Sequence, residues 1–170
     1  MNLAFTGHRP TKIGGYNPDN PIRTAVRQEI KKVLSENKEK YGHNLLSITG
    51  GALGIDQDAA LISKELGIDY IVAVPCIGQE QTWPESSKKL YRQILSDAVH
   101  VIYVTRKLYS PALMQLRNEW MVDKCDALVA VWDESSGGTA NCVAYAVKQA
   151  KPIIRINPRE ILGKKSYGIQ

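Results

Sequence analysis

The strongest constraint on the fold is the segment Ser47-Ile-Thr-Gly-Gly-Ala-Leu-Gly-Ile-Asp56. A short apolar strand runs into glycines at 50, 51 and 54, and a helix follows with Ile55, Ala59, Ile62 and Leu66 on one side. Glycine lets the backbone turn sharply and approach a ligand closely, while the first turn of a helix points free N–H groups at it. Such a turn suits an anion, and a nucleotide phosphate above all. The same grammar returns at Phe5-Thr-Gly-His-Arg9 and at Ser136-Gly-Gly-Thr139. Three such edges in one small chain describe a ligand pocket.

Strand-like and helix-like runs alternate from end to end. Leu3–Phe5 reads as a strand, followed by a loop rich in Gly and Pro from Gly14 to Pro21. Asn20 caps a helix with Pro21 at its first position, and Ile22, Val26, Ile30, Val33 and Leu34 supply its apolar stripe. Leu45–Thr49, Tyr70–Val74, Val99–Thr105, Ala127–Trp132 and Pro152–Ile156 read as further strands. Helices are expected over 55–66, from Thr82-Trp-Pro84 to Asp97, and from Ser110-Pro111 to Lys124. A last one follows Gly138, with Ala140, Val143, Ala144, Val147 and Ala150 on its apolar side. Repeated strand–helix units imply right-handed crossovers and a doubly wound, mostly parallel sheet flanked by helices, in a single α/β domain. Ligands bind such sheets beyond the carboxyl ends of the strands, near the topological switch point.

Bulk properties exclude several classes. The 170 residues suit one domain, and the formal charge of +5 is spread rather than striped. Residues 22–41 hold six Lys/Arg against three Glu, and 155–165 hold four against one, as solvated helix faces and a basic tail would. No aromatic–basic alternation of the stacking kind occurs, so nucleic acid is not the favoured partner. Cys76, Cys125 and Cys142 form no CxxC pair, which argues against a metal site or disulfide framework and fits a reducing cytoplasm. No apolar run reaches membrane-spanning length, and no cofactor is called for.

Chemistry concentrates in a few places. Arg9, after Gly7 and His8, offers a planar donor fork for phosphate, and His8 reads either as an acid–base group or as a hydrogen-bonding loop residue. Gly50, Gly51 and Gly54 match neither the dinucleotide GxGxxG nor a P-loop, which needs a following lysine. Asp56 either favours the helix dipole or binds ribose hydroxyls and assists glycosidic chemistry. Trp83 suits stacking on a purine whose edge Gln79 or Glu80 reads, or else packs at the helix start. Arg117 and Asn118 lie about 100° apart on their helix, so either can face a pocket. Gly137, Gly138 and Thr139 offer N–H groups and a hydroxyl to phosphate. Asp133 and Glu134 read as solubilising charges, and Cys142 as a small buried hydrophobe.

Together, Thr6-Gly-His-Arg-Pro10, Gly50-Gly-Ala-Leu-Gly-Ile-Asp56, Gln79-Glu80 with Trp83-Pro84, Arg117-Asn118 with Met121-Val-Asp123, and Gly137-Gly-Thr139 resemble the SLOG (SMF/DprA–LOG) superfamily, and within it the YpsA-type bacterial and phage proteins. The resemblance spans residues 1–157, leaving 158–170 as a C-terminal tail. It implies a Rossmann-like fold that binds a nucleotide or nucleotide-derived small molecule, often as a homodimer. Members include phosphoribohydrolases, the DNA-loading protein DprA, and sensors of ADP-ribose-type signals. Met114-x-x-Arg117 resembles the hydrolase motif with its functional Arg. Three residues beyond Thr139, where that motif carries a catalytic Glu, this chain has Cys142. Asp56, Glu80 and Arg117 are then the candidates for catalysis in an N-glycosidic hydrolase of nucleoside monophosphates. Binding without chemistry is the first expectation, and single-stranded DNA binding the third. Self-association is expected through the 110–124 helix, which bears Leu113, Leu116 and Trp120.

Overall fold

The computed structural model describes residues 1–17 and 19–161. Its strands are β1 (Asn2–Gly7), β2 (Leu46–Thr49), β3 (Asp69–Val74), β4 (His100–Tyr103), β5 (Ala127–Val131) and β6 (Ile153–Ile156). Its helices are α1 (Pro21–Tyr41), α2 (Ile55–Glu65), α3 (Glu85–Asp97), α4 (Pro111–Lys124) and α5 (Gly138–Lys148). All six strands run parallel in the order β4-β3-β2-β1-β5-β6. The order reverses beside β1, whose neighbours are β2 and β5, and the clefts of doubly wound sheets open at such a point.

Local chemistry accounts for the element boundaries. Asn20 Oδ1 accepts from the backbone N–H of Ile22 at 2.9 Å and of Arg23 at 3.4 Å, and Pro21 fills the first helical position of α1. Every residue of β5 is buried, as a central parallel strand requires. The third helix starts at Glu85 rather than at Thr82, because Pro84 has extended backbone (ψ 147°) at the capping position.

Alternating β1 side chains build both layers. Leu3 and Phe5 pack with Val26, Ile30, Ile55 and Ile62 from α1 and α2. Ala4 faces the opposite layer, where Met121 and Val122 of α4 meet Cys142, Val143 and Ala146 of α5. The buried side of α5 therefore differs from the expected stripe: Ala144 and Ala150 are exposed and Val147 is 64% exposed. A run of alanines and valines satisfies helical spacing on more than one face, and packing chooses between them. In α2, Asp56, Gln57, Asp58 and Ser63 are buried beside the apolar residues. The amphipathic stripe expected for this helix is thus buried on more than its apolar side, with only Lys64 and Glu65 at its end exposed, and Asp58 is held by Arg23 at 2.9 Å and Arg27 at 2.6 Å. The tail expected over 158–170 lies outside the described residues after Ile161, and Ile161 itself packs on the first core layer.

Candidate functional site

A cleft of about 350 Å³ opens where β1 and β5 end. Of the residues singled out in the sequence, Gly7, His8, Arg9, Asp56, Arg117, Asn118, Gly137, Gly138 and Thr139 line it. Residues from opposite ends of the chain meet here because β1 and β5 pair from Leu3↔Ala127 to Gly7↔Val131.

The floor of the cleft is polar and buried. Arg117 is 5% exposed and Asn118 7%. Arg117 Nε donates to Asn118 Oδ1 at 2.9 Å, and its Nη1 donates to Asp56 Oδ2 at 3.3 Å. Both neighbours on α4 thus face the cleft. The Ala52 N–H also donates to Asp56 Oδ2, at 3.4 Å. Burial pushes the Asp56 carboxyl above the usual range, and the Arg117 and Arg9 guanidinium groups only partly offset that desolvation.

The two glycine turns at helix starts differ in kind. A Cβ at Gly50 would lie 1.2 Å from Arg117 Nη1, one at Gly51 2.8 Å from Tyr91 Cε2, and one at Gly54 2.5 Å from the His8 carbonyl oxygen. These three glycines give room to the protein's own groups, so the 50–54 turn is filled from within. At Gly137 and Gly138 an added Cβ meets nothing within 4 Å. Gly137 caps α5 without a side chain, which leaves the first N–H groups of α5 free to face a ligand.

His8 is 4% exposed, and its Nε2 lies 2.7 Å from Asp133 Oδ1. Asp133 is no solubilising charge. It accepts from Ser135 Oγ at 2.6 Å and Ser135 N at 3.1 Å, and pairs with Arg159 at 2.8 Å. Ser135 in turn accepts from Lys12 Nζ at 2.6 Å. The Ser135 bonds, followed by the one from His8, hold the Asp133 carboxyl far below the usual range. Desolvation lowers the His8 pKa, more than Asp133 raises it. Lys12 and Ser135 also line the cleft. No local motif marks them; β1–β5 pairing brings them together.

Other candidates lie elsewhere. Trp83 packs edge-on against Tyr91, with ring centroids 5.3 Å apart. The amide of Gln79 is occupied, donating to Tyr91 Oη at 2.6 Å and the Gly50 carbonyl at 3.3 Å. Glu80 lines a separate cavity of about 420 Å³ with Tyr91, Tyr103 and Arg106. The structure thus separates Glu80 and Trp83 from the Arg117 cleft. Cys142 is wholly buried, and burial pushes its thiol up to about 11. Of the apolar α4 residues, Leu116 is 44% exposed, Leu113 is buried and Trp120 packs on the core.

Comparisons with known proteins agree with this architecture. DprA from Streptococcus pneumoniae superposes with a TM-score of 0.65 at 16% identity, over 91% of this chain and 49% of that one. DprA from Helicobacter pylori, whose structure addresses its single-stranded DNA binding mode, gives 0.66 at 17%, over 98% and 73%. At these identities the likeness concerns the fold. A UPF0398 protein of Bacillus thuringiensis (strain Al Hakam) is 31% identical over 157 residues, covering 86% of this chain and 82% of the relative. The model of the YspA SLOG family (YpsA) matches residues 3–160, and the chain belongs to that family.

Proposed function

We propose that the cleft binds a nucleotide or nucleotide-derived small molecule, ADP-ribose-type signals included. The open start of α5 carries this reading: Gly137, Gly138 and Thr139 present unshielded N–H groups, and Arg9 and Lys12 line the same cleft. Phosphate sits there, Asp56 accepts from ribose hydroxyls, and Met114 offers the base an apolar surface. Calorimetric titration of AMP, ADP-ribose and adenosine tests it. Both phosphate-bearing ligands bind at least tenfold tighter than adenosine, and Arg9→Ala erases most of that difference. Absence of heat with all three ligands removes the proposal. A single-stranded oligonucleotide that outcompetes AMP transfers the function to nucleic acid.

Asp56 supports a second reading, hydrolysis of the N-glycosidic bond of a nucleoside monophosphate. A carboxyl group beside ribose stabilises the oxocarbenium character of that transition state. Two further features belong to the proposal. Cys76, Cys125 and Cys142 are free and buried, which suits a reducing cytoplasm. Ile77, Tyr103, Leu108 and Tyr109 are 49–75% exposed near one sheet edge, which suits pairing with a second copy of the chain.

A further inference from the structure

His8 carries a feature that phosphate binding does not use. Its Nε2 is 2.7 Å from Asp133 Oδ1, and the Asp133 N–H points at the same nitrogen from 3.2 Å. The two contacts ask opposite roles of Nε2; an ionised carboxylate only accepts and its contact is the shorter, so the proton is assigned to Nε2, donating to Oδ1. The neutral ring then holds its lone pair on Nδ1, for which no donor exists among the described residues. His8 lines the cleft, and Asp56 and Arg117 form another part of its lining. Ser135 and Arg159 hold the carboxylate that orients the ring. An imidazole fixed by a half-buried acid, with its second nitrogen free, is the arrangement of a general base.

We propose that His8 is the catalytic base of this cleft and Asp133 its positioning residue, in hydrolysis of a nucleoside 5′-monophosphate. This rests on the cleft binding phosphate-bearing nucleotides. Nδ1 takes a proton from water as the water oxygen bonds to the anomeric carbon. The carbon–nitrogen bond to the base breaks, its electron pair leaves with the base nitrogen, and the imidazolium proton passes through solvent to that nitrogen. Ribose 5-phosphate and the free base are the products. Lowering of the His8 pKa by burial keeps the ring neutral at pH 7.

The test incubates the full chain with AMP, GMP, CMP and UMP, follows ribose 5-phosphate release, and measures AMP affinity separately. In His8→Ala, turnover falls about 10²–10⁴-fold, the range for removal of a general base. AMP affinity stays within threefold, and added imidazole restores part of the rate. Asp133→Asn moves the acidic limb of the pH–rate profile, which a purely structural role leaves in place. Nucleotide binding without release by the parent overturns the proposal and leaves the binding function standing. Turnover retained in His8→Ala, or lost together with affinity or without imidazole rescue, overturns it too. Absence of nucleotide binding by the parent removes both.

Discussion

Gly50 and Arg117 compete for one volume: a methyl group on Gly50 would lie 1.2 Å from the Arg117 Nη1 atom. The glycine of the turn is the seat of the guanidinium. Gly50→Ala therefore expels Arg117 from Asp56 and destabilises the fold by about 1–3 kcal/mol, the cost of overpacking. Gly138→Ala, in open space at the start of α5, leaves stability unchanged or raises it by up to about 1 kcal/mol. Urea denaturation of the two variants measures the contrast.

Arg117→Met leaves the buried Asp56 carboxyl without its cation. A loss of about 3–5 kcal/mol is expected at neutral pH, the usual result of breaking a buried pair. The sign with pH follows from the raised folded pKa of Asp56. Above the unfolded value of about 3.9 the unfolded chain ionises first, so stability falls as pH rises through the folded value. Losing Arg117 raises that value further. Melting curves from pH 4 to 8 should show a steeper decline for Arg117→Met than for the parent.

Asp56→Asn separates ion pairing from ligand contact. If its only role is to pair with the buried Arg117, stability drops by about 3–5 kcal/mol and affinity of the folded fraction holds. With ribose in its grip, AMP affinity drops by about 1.5–3 kcal/mol, as for hydrogen bonds to charged groups. The second outcome is expected, and calorimetry distinguishes the two.

His8 and Asp133 lend stability in different pH windows. The folded pKa of His8 is lowered, so its share is complete above the unfolded value of about 6.5 and is lost as pH falls from there toward the folded value. The folded pKa of Asp133 is also lowered, so its share is lost only below about pH 4, as pH falls toward the folded value. His8→Gln should flatten the melting-temperature profile in the upper window and, by removing one of the bonds that hold Asp133 low, weaken the lower one; Asp133→Asn should flatten the lower window.

Asp58 has 0% exposure and makes two bonds of 2.9 Å to Arg23 and one of 2.6 Å to Arg27. Asp58→Ala strands both cations and costs about 3–5 kcal/mol. AMP affinity of the folded fraction stays unchanged, because Asp58 does not line the cleft. Denaturation and titration on the same preparation check both halves.

Sequence pattern exposes what is local. Asn20 and Pro21 announce α1, and the unbroken apolar run at Ala127–Val131 announces a central strand, since each signal resides in neighbouring residues. What a glycine makes room for is a tertiary fact, so Gly50 reads equally as a ligand contact or as the seat of Arg117. Asp133 looks like a loop charge until strand pairing sets it against His8, 125 positions away. Trp83 is ambiguous for the same reason: its partner Tyr91 is visible in the chain, but the direction in which their edge-on pair points is not.

The central position of β1 has a consequence for synthesis on the ribosome. The first strand to emerge pairs with β2 early, but its other edge waits for β5, some 120 residues later. Until then the segment bearing His8 and Arg9 has one wall of its cleft missing, and the start of α5 follows later still. A nascent chain halted before Gly137 can form most of the first core layer yet lacks the α5 wall of the cleft. Under the proposed binding function, a ligand would therefore stabilise the fold only after α5 has been made, and could not guide formation of the first core layer.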